Sequence, residues 1–365
     1  MTKFYFIANG PGEISGWLYP LVQWIKIFNP PWAEDMEFCL ILNKCQFASG
    51  QEEKVVKSWN FFKEIVPPDD YWEKFKSKPN EETIVFHIGG DLFFNLLLAK
   101  RWNGISLAYV EKEFWAERFY RRVYSNKPLK LSNSLCVGDL RFDFLPENSF
   151  SIDSKKIALF PGSRAYGLRF YLPFYVALVR EITKSFPDLS FTIFFSPFLD
   201  PNEKNNILSK LEPIRRDLPI EMKELNDMSE IKDYLFAITL PGTNTLQLSY
   251  MKIPILVILP LHRPEFLPLE GLGNLVKGRF RDYIINLYLA KNPYLALPNK
   301  IKPGIVPEIV GKFKFEDVLK YFRSLLENRD EIENIHKNLL LSFNKDYLSS
   351  QLIWEDINEI LKEVI

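Results

Sequence analysis

Four short segments of the chain hold the residue types from which a polar ligand site is built. The first, Gly10-Pro11-Gly12-Glu13-Ile14-Ser15-Gly16, sets a carboxylate among three glycines. Glycines let backbone approach a ligand closely, and a carboxylate there has little use in core packing. The spacing is not GxGxxG, so it does not read as a dinucleotide fingerprint. Gly12, Ser15 and Gly16 are candidate contacts for a bound molecule. The second segment, Gly89-Gly90-Asp91, places another carboxylate just before Leu92. Asp91 fits two roles there: cap of the following helix, or general base that takes a proton from a hydroxyl nucleophile. The third, Phe160-Pro161-Gly162-Ser163-Arg164, offers the amides of Gly162 and Ser163 to an anion and the Arg164 guanidinium to neutralise it. The fourth, Leu240-Pro241-Gly242-Thr243-Asn244-Thr245, runs into a helix whose first N–H groups lack partners. Thr243 and Thr245 also fit as ordinary caps, but two anion-type loops in one half reinforce each other.

These loops need strands to position them. Lys3–Asn9, Met36–Asn43, Thr83–Gly89 and Ile105–Val110 are short apolar runs that predict buried parallel strands. Helical patterns at Trp17–Phe28, Glu52–Trp59 and Leu92–Trp102 alternate with them, as βαβ units require. Leu145–Ser154 has no periodicity and reads as a linker. The alternation restarts with strands at Lys155–Phe160, Ser190–Phe195, Phe236–Leu240 and Ile253–Leu259 and helices at Phe170–Ser185 and Thr245–Lys252. From about Phe315 the pattern is purely helical. The fold class expected is α/β, with two Rossmann-like parallel-sheet halves facing a cleft. The divisions expected are 1–150, 151–314 and a helical tail, 315–365, packing across both. Each of the four loops follows a predicted strand, where open α/β sheets bind ligands.

Bulk composition removes several alternatives. Lys plus Arg and Asp plus Glu both number 46 in 365 residues, so no global field draws the chain to nucleic acid. Three histidines and three cysteines, with no HExxH or CxxC spacing, argue against a metal site, a Ser-His-Asp triad or a disulfide framework. The N-terminus enters a strand with no basic leader and no apolar run approaches 18 residues, so a cytoplasmic protein is expected. Aromatic residues reach 15%. Most fit a Phe-rich core with Lys stems over apolar surface. Arg118–Tyr124 and Lys277–Tyr288, which mix cations with aromatics, fit either a helix face or a segment lying on a lipid surface.

Taken in order, the loops resemble those of the lipid-A-disaccharide synthase family of GT-B glycosyltransferases. GPGEISG is similar to that family's first glycine loop, and Cys45–Glu53 to its alanine-serine-glycine stretch. Val137-Gly138-Asp139-Leu140 with Asp143 resembles its VGHPLxD element. Leu159–Arg164 with Leu172-Pro173 and Phe186–Leu189 resembles its PGSR block. Pro241–Leu246 with Ile253-Pro254 matches its SGTxTLE block, and Leu297-Pro298-Asn299 with Val306-Pro307-Glu308 its SLPN and VPE segments. Trp17, Asp139, Gly167 and Gln247 stand where the family has Asp, His, Glu and Glu. From the family's DxPDFN only Asn95 and a displaced Asp91 carry over, so the acceptor side departs more than the donor side.

The resemblance implies an inverting transfer of an acylated glucosamine from a UDP-linked donor to an acylated sugar phosphate, releasing UDP. It implies no metal and no cofactor beyond the donor, a glycolipid acceptor, the inner membrane surface, and a homodimer that exchanges C-terminal helices. Gly162, Ser163, Arg164, Gly242, Thr243, Asn244 and Thr245 would hold the nucleotide diphosphate, with Gln247, Asn299 and Glu308 near the nucleoside. Glu13 or Asp91 would be the base, with Gly12, Ser15, Gly16 and Asn95 toward the acceptor. Two other readings stay open: a sugar-nucleotide epimerase or transferase with a different acceptor, and a non-catalytic protein that binds a nucleotide sugar or glycolipid.

Overall fold

A computed structural model describes residues 2–45, 48–147, 149–162, 165–262 and 278–364. The chain forms two compact units, Met1–Phe144 with Lys345–Ile365, and Leu145–Asn344. Ser163 and Arg164 lie outside the described residues, as do Gln46 and Phe47 of the alanine-serine-glycine stretch and Lys277 of the second cation-aromatic segment.

The first unit is built on seven parallel strands: β1 (Thr2–Ala8), β2 (Met36–Leu42), β3 (Glu64–Val66), β4 (Thr83–His87), β5 (Ile105–Val110), β6 (Arg122–Ser125) and β7 (Ser134–Cys136). Their order is β3-β2-β1-β4-β5-β6-β7. Phe4 to Ala8 are all fully buried, because helices cover both faces of the central strand. One face packs Tyr5, Ile7, Cys39 and Val85 against Leu98, Ala99 and Trp102 of the helix Leu92–Trp102. The other is aromatic: Phe4, Phe6 and Phe38 surround Trp354, which comes from the helix Ser349–Val364. The Trp354 indole donates to the Leu21 carbonyl at 3.1 Å, tying that helix to Tyr19–Phe28. Truncating Trp354 to Ala removes this keystone at a cost of about 3–5 kcal/mol.

The second unit has six parallel strands: β8 (Lys156–Phe160), β9 (Ser190–Phe195), β10 (Ile220–Glu224), β11 (Phe236–Thr239), β12 (Ile255–Pro260) and β13 (Glu308–Gly311). Their order is β10-β9-β8-β11-β12-β13. Each unit therefore follows the 3-2-1-4-5-6 order of a Rossmann sheet, extended by one strand in the first.

The helical tail divides between the units. Phe315–Glu327 and Arg329–Ser342 stay with the second, whereas Ser349–Val364 returns to the first. The return is fastened by Asp143, whose buried carboxylate accepts the amides of Ser349 at 3.0 Å and Ser350 at 2.6 Å and pairs with Lys345. A carboxylate at a helix N-terminus satisfies orphan amides and complements the positive end of the dipole. The element Val137–Asp143 thus works as a clasp in this chain: Ser349 Oγ also donates to the Val137 carbonyl at 2.7 Å, and Asp139 caps the turn Leu140–Phe142.

Candidate functional site

In this strand order the chain reverses direction across the sheet between strands one and four, and the crevice at that switch point is where open α/β sheets bind ligands. The switch points fall between β1 and β4 and between β8 and β11. Those are the strands that the four glycine segments follow, two at each switch point.

At the first switch point, Pro11–Glu13 leads through a π-helical turn, Ile14–Leu18, into the helix Tyr19–Phe28. Such π turns recur at functional sites because they re-aim side chains that an α-helix would stack. The Glu13 carboxylate lies in a nook between two glycines. A β-carbon on Gly10 would sit 2.8 Å from Glu13 Oε2 and 3.3 Å from Cys45 Sγ; one on Gly89 would sit 3.1 Å from Glu13 Cγ. A side chain at Gly10 would press on the carboxylate, and one at Gly89 would first meet Asn9 Oδ1, at 2.5 Å. Asn9 Oδ1 accepts the Gly10 amide at 2.9 Å and closes the turn.

Behind the nook runs a buried polar chain. Asn95, with no exposed surface, donates from Nδ2 to His87 Nδ1 at 2.6 Å and to the Gly89 carbonyl at 3.1 Å. Its Oδ1 accepts from Asn43 Nδ2 at 3.0 Å. Asn43 in turn fills the space beside Gly90, whose φ of +91° is a left-handed conformation that side chains disfavour. His87 closes β4, and burial pushes its pKa down to about 3, so the ring is neutral and carries its proton on Nε2. Nothing in the motif series pointed to His87, Asn9 or Asn43. Their signal in sequence is only that polar residues end three apolar strands.

Several expected site residues are engaged structurally. Asp91 caps the helix Leu92–Trp102, accepting the Phe94 amide at 3.0 Å, with its side chain at the surface. Asn95 holds the glycine loop from behind rather than facing outward. Gly16 is buried, and a β-carbon there would lie 3.0 Å from Arg141 Cγ. Ser15 is exposed and donates back to the Pro11 carbonyl at 2.7 Å, and Gly12 is open to solvent. Trp17 packs at 5.4 Å from the Tyr109 ring. Arg141 bridges Glu111 and Asp139, at 2.5 Å from each.

The second switch point is plainer. Gly162, two residues past β8, has φ +95°, and a β-carbon there would meet Leu240 Cδ1 at 3.1 Å. The loops after β8 and β11 are therefore in contact. The helix Thr243–Tyr250 starts at Gly242 with no side-chain cap. Thr245 is buried and donates from Oγ1 to the Gly242 carbonyl at 2.6 Å, so it closes the turn and leaves the amides of Thr243 and Asn244 uncapped by side chains. Uncapped amides at a helix start form an anion site. Gln247 lies half-buried one turn on.

Asn299 and Glu308 are held farther along the same sheet. Phe160, Thr239, Val257 and Glu308 are in register across four strands, so Glu308 is level with the switch point and about 10 Å from Thr239. Its carboxylate accepts the amides of Leu295 at 2.7 Å and Ala296 at 3.1 Å and the Asn299 amide group at 2.9 Å. Asn299 is fully buried and also bonds both backbone groups of Val306. The pair locks the turn between the helix Leu297–Ile301 and β13.

All three histidines are engaged: His262 Nε2 with the Phe313 carbonyl at 2.6 Å, His336 Nδ1 with the Lys252 carbonyl at 2.7 Å, and His87 as above. Among the described residues there is no cluster of three or more His, Cys, Asp or Glu with metal-holding geometry, and no helix is long and apolar enough to cross a membrane.

No family model matches the chain. A lipid-A-disaccharide synthase of Psychromonas ingrahamii is 21% identical over 211 residues, 56% of this chain; the match spans half the length of that relative. Solved structures match almost end to end. Staphylococcus aureus MnaA, in complex with UDP, superposes with a TM-score of 0.59 at 12% identity, covering 99% of this chain and 97% of that one. The UDP-GlcNAc 2-epimerase of Neisseria meningitidis, bound to UDP-GlcNAc, gives 0.55 at 12% identity, covering 98% and 100%. Acinetobacter baumannii MurG gives 0.52 at 12%, covering 98% and 99%. Two Rossmann-like parallel-sheet domains in one chain, matched over their whole length in this way, are the GT-B fold.

Proposed function

We propose that the chain is an inverting glycosyltransferase that moves an acylated glucosamine from a UDP-linked donor to an acylated sugar phosphate and releases UDP. The observation that carries this reading is the chemical division between the two switch points. One nests a carboxylate between glycines; the other presents uncapped helix amides beside a glycine turn. A transfer with inversion needs both, a proton acceptor for the nucleophile and fixed dipoles for the leaving diphosphate. The ordered motif series and the lipid-A-disaccharide synthase relative support the lipid-linked substrates.

In the proposed step the acceptor hydroxyl oxygen bonds to the anomeric carbon while its proton passes to Glu13. The bond from that carbon to the diphosphate breaks, and its electron pair leaves with UDP. Gly162, Ser163, Thr243 and Asn244 amides and the Arg164 guanidinium stabilise the departing charge. Gln247 accompanies the nucleoside, and Asn299 with Glu308 hold the neighbouring turn in place. Asp91 fixes the helix behind the second glycine loop, and its surface position keeps it as the alternative base.

A donor panel screened for UDP release against acylated and water-soluble sugar phosphates tests the reading. UDP release that depends on an acylated acceptor, with a β-linked disaccharide as product from an α-linked donor, is the expected result. A second reading, sugar-nucleotide epimerisation, draws on the match to a UDP-GlcNAc 2-epimerase. Isomerisation of UDP-N-acetylglucosamine with no acceptor present would replace transfer by that reaction. UDP binding without release from any donor would leave a binding protein.

A further inference from the structure

We infer that the first unit docks on an anionic lipid bilayer through an aromatic surface that the motif series does not include. Six large rings stand out of the first unit in one connected patch: Trp72, Phe93, Phe94, Phe114, Trp115 and Phe119, each between 36% and 57% exposed. Trp72 packs on Phe94 at 5.8 Å, Phe94 on Phe93 at 5.9 Å, and Phe93 on Trp115 at 5.3 Å. Phe114 and Phe119 join through Trp115, at 5.9 and 6.4 Å. They come from three separate parts of the chain: the helix Tyr71–Lys76, the first turn of Leu92–Trp102, and the loop after β5. Large exposed apolar patches mark interaction sites, whereas scattered single residues do not.

The polar groups around the rings identify the partner. Lys100 Nζ and Arg118 Cζ sit over the Phe119 ring at 5.3 and 5.8 Å. The three carboxylates of the same loop each have a partner within the first unit, and Glu117 is buried. Glu111 pairs with Arg141, Glu113 accepts the Lys130 amide at 2.5 Å, and buried Glu117 accepts the Phe114 amide. That last bond folds the loop so that Phe114 and Trp115 project outward. What the loop presents is aromatic surface flanked by cations, with Glu111 and Glu117 tied back by their partners, the composition of an interfacial anchor facing anionic headgroups. The expected segment Arg118–Tyr124 is narrowed accordingly. Tyr120, Val123 and Tyr124 are buried, Arg122 pairs with Asp356 at 2.9 Å, and only Arg118 and Phe119 of that segment belong to the patch. In the segment Lys277–Tyr288, which belongs to the second unit, Arg281 is buried and Tyr283, Leu287 and Tyr288 are exposed.

Phe93 and Phe94 follow Asp91 directly. A bilayer under the patch therefore lies within one helical turn of the glycine loop Gly89–Asp91, where a lipid-borne headgroup is delivered to the first switch point. The link to an acceptor rests on the transferase reading; docking does not, and it is measured without any donor.

The full chain is mixed with sucrose-loaded vesicles of phosphatidylglycerol and phosphatidylcholine, or of phosphatidylcholine alone, and sedimented. Binding to the anionic vesicles that weakens with added salt is expected, with tryptophan emission quenched by brominated acyl chains. The double variant Phe114→Ser, Trp115→Ser is expected to weaken binding roughly tenfold or more, and Arg118→Glu to remove the preference for anionic lipid. Tyr283→Ser with Leu287→Ser is expected to bind as the parent does. Circular dichroism checks the fold, and if the double variant is unfolded, Phe119→Ser takes its place. Absence of sedimentation with both vesicles overturns the proposal, as does binding that survives the patch variants. Concentration-dependent dimerisation abolished by the double variant, without lipid binding, would make the patch a self-association surface and also overturn it.

Discussion

The two switch points share one strand order and differ in almost everything that chemistry depends on. The first is crowded with side chains: Glu13 in its glycine nook, Asn9 closing the turn, and Asn43, Asn95 and His87 linked behind it. The second is nearly bare, with a glycine turn in a left-handed conformation, an uncapped helix start, and Thr245 folded back on Gly242. A carboxylate edge accepts protons and repels phosphate; an amide edge holds phosphate and cannot accept a proton. Topology fixes where a ligand goes in each unit, and the loop residues decide what it meets.

The largest effect that would break or sharpen this contrast is on turnover. Glu13→Gln keeps the shape and removes the base, so turnover is expected to fall by about 10²- to 10⁴-fold while UDP affinity holds. A parallel loss of UDP affinity, measured by calorimetry, would mean that both edges serve the donor. Next is the buried chain behind Glu13. Burial lets the folded His87 take up a proton only near pH 3, whereas an unfolded histidine does so below about 6.5. Between those values the unfolded state holds the extra proton, so stability falls as the solution is acidified, by about 2 kcal/mol from pH 7 to pH 5. His87→Gln, which retains an acceptor for Asn95, is expected to flatten that slope in denaturant titrations. Equal slopes in the two proteins would show that His87 is not neutral in the folded chain.

How much of this was legible in the sequence follows from burial. The eight strands predicted, four in each half, are those with continuous apolar runs, and all eight are present within a residue or two. The five that escaped, β3, β6, β7, β10 and β13, are short and mostly toward the sheet edges, and most are only partly buried. A strand packed on one side leaves little hydrophobic signal. Arg122–Ser125 shows the confusion most clearly: beside Arg118 and Phe119 it looked interfacial, yet it is a strand whose tyrosine bonds Asp356. The glycine loops were legible because strand-end glycines have few other uses. The polar chain from His87 to Asn43 was not, since its members lie on separate strands and a helix and meet only through tertiary pairing. Likewise nothing local distinguishes Asp91 as cap from Asp91 as base, and the clasp at Asp143 joins residues some 200 positions apart.

At the bare edge the sharper test is conformational. Gly162→Ala puts a β-carbon at φ +95° and 3.1 Å from Leu240, a strain of about 1–2 kcal/mol. If the loop holds a diphosphate, relieving that strain moves the amides, and UDP affinity is expected to fall roughly fivefold for each kcal/mol not recovered. Unchanged affinity with lowered stability would assign Gly162 to folding alone and leave the anion to the helix at Thr243.

The smallest effect separates the two carboxylates of the crowded edge. Asp91 spends an oxygen on the Phe94 amide, and its exposed side chain lacks the enclosure that surrounds Glu13. Asp91→Ala is therefore expected to cost about 1 kcal/mol of stability, the usual loss for an N-cap, with turnover changing by no more than about threefold. Asp91→Asn keeps a capping oxygen but accepts no proton at neutral pH, so it is expected to match the parent in both denaturant midpoint and turnover. Because the cap survives in that variant, a hundredfold drop in its turnover at unchanged stability has only one chemical meaning: the proton goes to Asp91, and Glu13 belongs to the scaffold of the nook.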